Sequence, residues 1–86
     1  MYLLKYSSHA QKDVEKIKKA GLKNKVEKLL EIISENPWNS YPPYEKLVGD
    51  LRGCYSRRIN AQHRLVYEVF VEERAIKILR MWSHYE

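Results

Sequence analysis

The chain has 86 residues, 44% of them hydrophobic and 31% charged, with one cysteine and a formal net charge of +5. This length fits one domain with a modest core, and no apolar run approaches the roughly 18–20 residues that cross a bilayer. A lone cysteine excludes an internal disulfide and no Cys/His cluster has zinc-site spacing, so we expect residues 1–86 to form a single cytoplasmic domain without a metal, a cofactor or a membrane partner.

The first half is predicted to form a strand followed by a helical hairpin. "YLLKY" is a short apolar strand, and Ser7-Ser8 after it can cap a helix. Gly21 is typical of a helix end, and Asn24 is expected to cap a second helix that stops at Asn36-Pro37. The residues at helical spacing are Ala10, Val14 and Ile17 in the first helix and Val26, Leu29, Leu30 and Ile33 in the second.

The second half is predicted to form an antiparallel meander. "PWNSYPP" indicates an ordered, irregular loop, and the stretch from Gly49 to Gly53 indicates a turn into a strand. "CYSRRI" and "HRLVYEVFV" are strand-like with "NAQ" as the turn between them, and Glu72-Glu73 is a tight turn into "RAIKILRMW".

A two-residue loop at Glu72-Glu73 sets the register of the last hairpin. Phe70 would then face Ala75, Glu68 would face Lys77, and Arg64 would face Met81. One face of the hairpin is apolar and suits two covering helices, whereas the other is too polar for a core. The sequence therefore predicts helices on one side and a basic, partly open face on the other, where a ligand would lie. The apolar face comprises Leu65, Tyr67, Val69, Ile76 and Ile78, and the polar face Arg64, Val66, Glu68 and Lys77.

The basic residues are unevenly distributed. Eight of the ten lysines lie between Lys5 and Lys28, whereas all six arginines lie between Arg52 and Arg80. Lysine is a mobile point charge, and arginine is a planar fork that matches phosphate. A basic chain points to a polyanionic partner, so we expect the lysine half to steer association and the arginine half to hold a specific anion site.

Two stretches of the chain, "YEKLVGDLRGCYSRRINAQHRLVYEV" and the ending "RMWSHYE", closely resemble the Txe/YoeB family of toxin–antitoxin systems, a branch of the RelE-like mRNA interferases. The resemblance implies an α+β fold of the microbial RNase type, with two N-terminal helices packed on one face of an antiparallel β-sheet. It also implies ribosome-dependent cleavage of mRNA in the A site, inhibition of translation, and neutralisation by a Phd/YefM-like antitoxin. Whether the chain forms a homodimer stays open.

The resemblance also assigns roles to individual residues. Glu45 matches the catalytic glutamate, Arg64 the arginine of the "HRLVY" strand, and His84 and Tyr85 the terminal catalytic pair. The same comparison makes Arg58, the second arginine of "SRR", an RNA-binding residue. Several relatives have a lysine where this chain has Val48, and Lys46 is the candidate substitute for RNA binding. Arg57 is either a surface ion-pair partner or a contact to ribosomal RNA, because adjacent strand residues face opposite sides.

These residue types suit metal-free RNA cleavage by the 2′-hydroxyl. The reaction needs a base near that hydroxyl, an acid near the departing 5′-oxygen, and cations around the transition state. Glu45 is the candidate base, and His84 is the candidate acid because histidine titrates nearest neutral pH. Arg64 would contact the non-bridging oxygens, with Arg58 as a second cation, and Tyr85 would stack on an unpaired base.

Two other functions fit the same sequence. The first is a gyrase-inhibiting toxin of the related ParE group, which acts by binding a protein, and the second is a non-catalytic RNA-binding module. Glu45, Arg64 and His84 together favour the nuclease. His63 is interpreted as structural or exposed, Trp38 and Trp82 as packing residues, and Cys54 as unreactive because no base adjoins it.

Overall fold

The computed structural model describes residues 1–82 of the chain. A strand is followed by two helices, and the remaining strands are joined by short connections. The elements are β1 (Leu3–Tyr6), α1 (Ser8–Lys19), α2 (Lys23–Glu35), β2 (Tyr44–Lys46), a 3₁₀ turn (Gly49–Leu51), β3 (Cys54–Arg58), β4 (Arg64–Phe70) and β5 (Ala75–Arg80).

The strands form one sheet in the order β1-β5-β4-β3-β2. β2 to β5 pair antiparallel, and β1 joins the edge parallel to β5. The predicted α+β class, with two N-terminal helices on one face of the sheet, is confirmed, and the parallel edge strand makes that sheet mixed. The first half therefore contributes both the covering helices and one edge strand.

The ends of the helices follow the local sequence. Ser7 precedes α1, and its hydroxyl accepts a hydrogen bond from the backbone N–H of Ala10 at 3.0 Å. Beyond the last turn of α1, Gly21 adopts a φ of +73°, a left-handed conformation that commonly ends helices. α2 ends at Glu35, just before Asn36-Pro37, as predicted.

The predicted cap at Asn24 is wrong, because α2 already begins at Lys23. Leu22 occupies the capping position and makes no side-chain hydrogen bond there. Its side chain is half-buried and packs against the core. An apolar side chain that packs on the core, rather than a polar cap, therefore precedes this helix.

The last hairpin has the predicted turn. The backbone N–H of Arg74 donates to the carbonyl of Val71 at 3.1 Å, with Glu72-Glu73 at the centre of the turn. Phe70 pairs with Ala75 and Glu68 with Lys77, as expected. The side chains that alternate onto the other face of the hairpin pack under the two helices: Leu65, Tyr67, Ile76 and Ile78 are fully buried, and Val69 is partly so.

A β-bulge changes the register beyond Tyr67, so the predicted pairing of Arg64 with Met81 is wrong. Tyr67 pairs with Ile78 while Val66 pairs with Arg80, which leaves Leu79 as an extra residue in β5. The Ser7 hydroxyl donates to the Leu79 carbonyl at 2.9 Å. The connection from β1 to α1 therefore satisfies the carbonyl that the bulge releases from the ladder.

Neither helix of residues 1–82 has the length and apolar character needed to cross a bilayer.

Candidate active site

The sheet brings Glu45 and Arg64 together from distant parts of the sequence. Glu45 lies on β2 and Arg64 begins β4, with β3 between the two strands. The Arg64 Nη1 donates to the Glu45 Oε1 at 2.5 Å. Their side chains are 25% and 66% exposed, respectively. A guanidinium and a carboxylate therefore meet on the face opposite the helices, where an outside ligand can reach both.

Arg58 shares this face, because it pairs directly with Arg64 across β3 and β4. It is exposed, and it makes no ion pair or side-chain hydrogen bond with any residue of 1–82. Lys46 is also exposed, but it follows Glu45 on the same short strand. Successive strand residues point to opposite faces, so Lys46 projects away from the carboxylate. RNA binding by Lys46 in place of the lysine absent at Val48 therefore stays a prediction, and any such contact would lie away from the Glu45 carboxylate.

The prediction that Arg57 is a surface ion pair or an RNA contact is wrong, because its side chain is completely buried. Three backbone carbonyls accept from its guanidinium: Pro42 at 2.5 Å, Asn39 at 2.7 Å and Pro37 at 3.1 Å. Its Nε donates to the Tyr67 hydroxyl at 3.0 Å. The fork matches carbonyls of the preceding loop as it would otherwise match a phosphate.

Arg57 therefore acts on the Glu45 site indirectly, through the loop that precedes β2. The loop that it binds, residues 37–43, leads directly into β2 and Glu45. The Tyr67 hydroxyl donates in turn to the Pro37 carbonyl at 2.8 Å, and burial raises the pKa of that hydroxyl although Arg57 acts in the opposite direction. Because Tyr67 stays protonated, it keeps this donor at neutral pH. The buried pair holds the loop, and the loop holds the strand that presents the carboxylate.

The end of the described chain is packed on His63, the residue that precedes Arg64. Trp82 stacks on His63, with ring centroids 4.0 Å apart and planes inclined at 19°. His63 is buried, as its structural interpretation requires, and it directly precedes Arg64. The predicted catalytic residues His84 and Tyr85 lie outside the described residues.

Asp13 was not identified from the sequence, although it fixes the end of β5. Its carboxylate is buried and accepts from the Met81 backbone N–H at 2.9 Å and from the Arg80 Nε at 3.1 Å. A lone aspartate among lysines in α1 gives no signal of this contact. Only its position on the buried side of the helix, in line with Ala10 and Ile17, would have indicated it.

Ser56 is a second residue that the sequence did not single out. It pairs with Glu45 across β2 and β3 and is 2% exposed. Its hydroxyl is buried without a hydrogen-bond partner among residues 1–82. Alternation along β3 places Ser56 on the same face as Arg58. Its pairing with Glu45 could not be predicted, because the three-residue strand β2 is too short to show an alternating pattern of apolar and polar residues.

Cys54 agrees with its interpretation as an unreactive thiol. Cys54 is buried, and burial raises the pKa of its thiol, with the nearby Glu68 acting in the same direction. A protonated, buried thiol is a poor nucleophile. No cluster of three or more His, Cys, Asp or Glu side chains in residues 1–82 is arranged to hold a metal ion.

Comparison with protein-family models gives a match over residues 5–85 to the YoeB-like toxin of bacterial type II toxin–antitoxin systems. The Toxin YoeB of Synechocystis sp. is 34% identical over 65 residues, which cover 76% of this chain and 73% of that protein. The Toxin RelK of Mycobacterium tuberculosis is 34% identical over 61 residues, which cover 71% of this chain and 69% of that protein.

Solved structures agree over nearly the whole chain. The YoeB/ParE toxin from Agrobacterium tumefaciens superposes with a TM-score of 0.88 at 28% identity, covering 96% of this chain and 99% of that one. The toxin in the YoeB–YefM complex from Staphylococcus aureus gives a TM-score of 0.82 at 34% identity, covering 99% of both chains. The chain thus belongs to the YoeB-like toxin family of bacterial type II toxin–antitoxin systems.

Proposed function

We propose that this toxin is an endoribonuclease that cuts mRNA in the A site of the ribosome and so stops translation. Toxins of the YoeB and RelE type are generally ribonucleases. The observation that carries the proposal is the Glu45–Arg64 ion pair, which joins a proton acceptor and a phosphate-binding cation on the open face of the sheet.

The proposed reaction is transesterification by the RNA itself. Glu45 accepts the proton of the 2′-hydroxyl while the 2′-oxygen forms a bond to phosphorus. Arg64 donates to the non-bridging oxygens, whose negative charge grows in the transition state. The bond from phosphorus to the 5′-oxygen breaks, and His84 gives that oxygen a proton. The products are a 2′,3′-cyclic phosphate and a 5′-hydroxyl, and no metal or cofactor takes part.

The geometry of the pair suits these roles. A guanidinium has five N–H donors, and the contact with Glu45 uses one Arg64 nitrogen, so donors remain for a phosphate. Glu45 is mostly exposed, so a ribose can approach its carboxylate. Trp82, two residues before His84, stacks on His63, the residue that precedes Arg64 in the sequence. This anchoring supports a role for His84 and Tyr85 at the same phosphate.

The surface charge supports a ribosomal partner. Lysines crowd the last turn of α1, at Lys16, Lys18 and Lys19, and more follow at the start of α2. Such a surface would contact ribosomal RNA, which makes binding strongly dependent on salt. We also propose that Arg58 binds RNA by contacting the phosphate backbone beside Arg64.

The proposed protein partner is a Phd/YefM-like antitoxin. The related toxin of Staphylococcus aureus has been solved both in a heterotetrameric YoeB–YefM complex and as a YoeB dimer. An acidic antitoxin segment that folds over the basic open face would cover Glu45 and Arg64 and block RNA. A homodimer of the free toxin is compatible with this arrangement.

A gyrase-binding toxin is the competing function, since the Agrobacterium relative bears the names of both the YoeB and ParE toxins. The two functions differ in their dependence on the ion pair. Cleavage requires the carboxylate of Glu45, whereas inhibition of gyrase by binding needs no proton acceptor. Supercoiling assays with the purified toxin should therefore show no inhibition at concentrations that arrest translation.

The decisive experiment maps transcript ends in a translation extract given the purified chain. We expect cuts within A-site codons, a 2′,3′-cyclic or 3′ phosphate and a 5′-hydroxyl. A 2′-deoxy nucleotide at the cut site should abolish cleavage, and a 3′-hydroxyl product would exclude the proposed chemistry. Glu45→Gln, which keeps the shape but removes the proton acceptor, is the matched inactive variant.

Two further measurements test the other roles. His84→Gln should lower turnover on the ribosome while the fold and ribosome affinity persist, and loss of folding would make His84 structural. Chelators dissociate ribosomes, so metal independence is better tested with sulfur at a non-bridging oxygen of the cleaved phosphate. Rescue of that substrate by Cd²⁺ would indicate a catalytic metal, and we expect none.

A further inference from the structure

A pocket of 570 Å³ opens directly beside Glu45 on the face opposite the helices. Its size lies within the range of about 300–1,000 Å³ that is typical of small-ligand sites. The loop before β2 forms one side, and the end of β3 with the turn that follows it forms the other. The pocket therefore continues the proposed active site away from Arg64, toward Arg58.

Apolar residues contribute to both walls of the pocket. Pro42 and Pro43 line one side, and Ile59, Asn60 and Ala61 line the other, with Ile59 almost entirely buried in the core. The proline side is held in place from behind, because the buried Arg57 donates to the Pro42 carbonyl. A partly apolar pocket of this kind can accommodate a nucleobase, which buries its faces and keeps its polar edges for hydrogen bonds.

Two charged side chains of the pocket have unused hydrogen-bonding capacity. Glu45 and Arg58 both line it, and Arg58 pairs with no acidic residue of 1–82. By contrast, the guanidinium groups of Arg64 and Arg80 each contact a carboxylate. An exposed arginine with no partner among residues 1–82, next to a partly apolar pocket, matches a ligand that combines a base with a phosphate.

Ser56 gives an independent indication of a ligand. It also lines the pocket, between Glu45 and Arg58 on the surface of the sheet. Its hydroxyl is buried and unpaired within residues 1–82, and such a group costs about 1–3 kcal/mol unless something bonds to it. A ribose hydroxyl that reached Glu45 would lie beside this oxygen.

We propose that the pocket is the subsite for the nucleotide on the 5′ side of the cleaved bond. Its base lies between the proline wall and the turn at residues 59–61, its own 5′ phosphate meets Arg58, and its ribose lies over Ser56 with the 2′-hydroxyl at Glu45. This assignment rests on the proposed nuclease function, since that function makes Glu45 the acceptor of the 2′-proton. It makes the pocket the place where the toxin distinguishes one base from another.

The test fills the pocket without touching the reacting groups. Ala61 is exposed, so Ala61→Trp should fold normally while its indole occupies the space of the base. Ala20 is exposed at the end of α1 and is not among the residues that line the pocket, so Ala20→Trp is the matched control. Ribosome-bound messages that differ only in the base 5′ of the cut are compared, and each variant is described by its relative rates rather than by its total activity.

We expect Ala61→Trp to lower cleavage at least tenfold after purines and to change the order of the four bases, because the larger bases lose their space. Ala20→Trp should keep the wild-type order. Unchanged relative rates in Ala61→Trp would overturn the subsite even though the wild type cuts mRNA normally.

A binding measurement separates the subsite from the nuclease activity. The probe is the uncleavable dinucleotide 2′-O-methyl-ApG, followed by its effect on backbone amide NMR signals of the free toxin. Shifts at residues 58–61 that disappear in Ala61→Trp and persist in Ala20→Trp support the subsite, even if no ribosomal cleavage is found. Shifts confined to the lysine-rich helices, or no shifts at millimolar dinucleotide, would overturn it.

Discussion

Arg57 and Arg58 are neighbours in the sequence, yet they belong to different environments on the two faces of the sheet. Arg57 lies on the face covered by the helices, is completely buried, and donates to three carbonyls and a tyrosine hydroxyl. Arg58 lies on the opposite face, exposed and without a partner among residues 1–82. The same side chain thus stabilises the loop in one position and is available to a ligand in the next.

The comparison shows that the chemistry of a residue type does not fix its role. The shape of a guanidinium fits both anions and carbonyl oxygens. Alternation along β3 determines the face on which each arginine lies, and therefore which kind of acceptor it can contact. The covered face uses its arginine to hold the strand that carries Glu45. On the opposite face, Arg58 and Arg64 place positive charge near that carboxylate. Substitutions on the two faces should therefore separate stability from activity.

The largest effect is expected on the covered face. Arg57→Gln leaves the carbonyls of Asn39 and Pro42 without a donor, whereas the Pro37 carbonyl keeps the Tyr67 hydroxyl. We expect a loss on the order of 3–5 kcal/mol in the free energy of unfolding. Urea unfolding followed by circular dichroism measures it. Arg58→Gln is the matched control and should change the same quantity by less than about 0.5 kcal/mol. Equal losses in the two variants would remove the distinction between the faces.

The next effect is expected on the opposite face. Arg64→Gln should lower single-turnover cleavage of ribosome-bound mRNA by about 10²–10³-fold, because it removes donors from the charge that develops on the phosphate. The ion pair with Glu45 is partly exposed, so the loss of stability should stay below about 1 kcal/mol. An active Arg64→Gln toxin, or one that fails to fold, would contradict the assignment of this face to catalysis.

A smaller effect is expected where α1 meets the end of β5. Asp13→Asn should cost about 1–3 kcal/mol of unfolding free energy, because a neutral amide replaces the carboxylate that accepts from Met81 and Arg80. Thermal and urea unfolding both report it. Glu15→Gln, an exposed change on the same helix, is the control and should be nearly neutral. If the two variants behave alike, the buried carboxylate does not anchor β5.

The smallest effect concerns a buried group on the opposite face. The folded Cys54 thiol holds its proton more tightly than the unfolded thiol, whose ordinary pKa is about 9.0. Its contribution to the free energy of unfolding is therefore constant below about pH 9 and declines above it, because the unfolded chain loses the proton first. Urea unfolding at pH 7, 8 and 9.5 should show a steeper alkaline decline in the wild type than in Cys54→Ala. Identical pH profiles would contradict this.

Much of the fold follows from short stretches of sequence. Ser7 caps α1, Pro37 follows the end of α2, and Glu72-Glu73 forms the turn between β4 and β5, because each depends on residues within one or two turns of itself. The alternation in "HRLVYEVFV" likewise predicts which face of the sheet lies under the helices. Within the candidate site, the resemblance to a toxin family selected Glu45 and Arg64, and the fold places them in contact.

The remaining features depend on partners that are distant along the chain. Arg57 is buried because the loop at residues 37–43 folds over it, and Lys46 projects away from Glu45 because β2 pairs with β3 in one register. The Ser56 hydroxyl and the pocket beside it exist only once that pairing is made. Local sequence determines the helices, turns and strand faces, since the energies that select them act between near neighbours. The tertiary structure alone determines which polar groups are satisfied and which are left for a ligand.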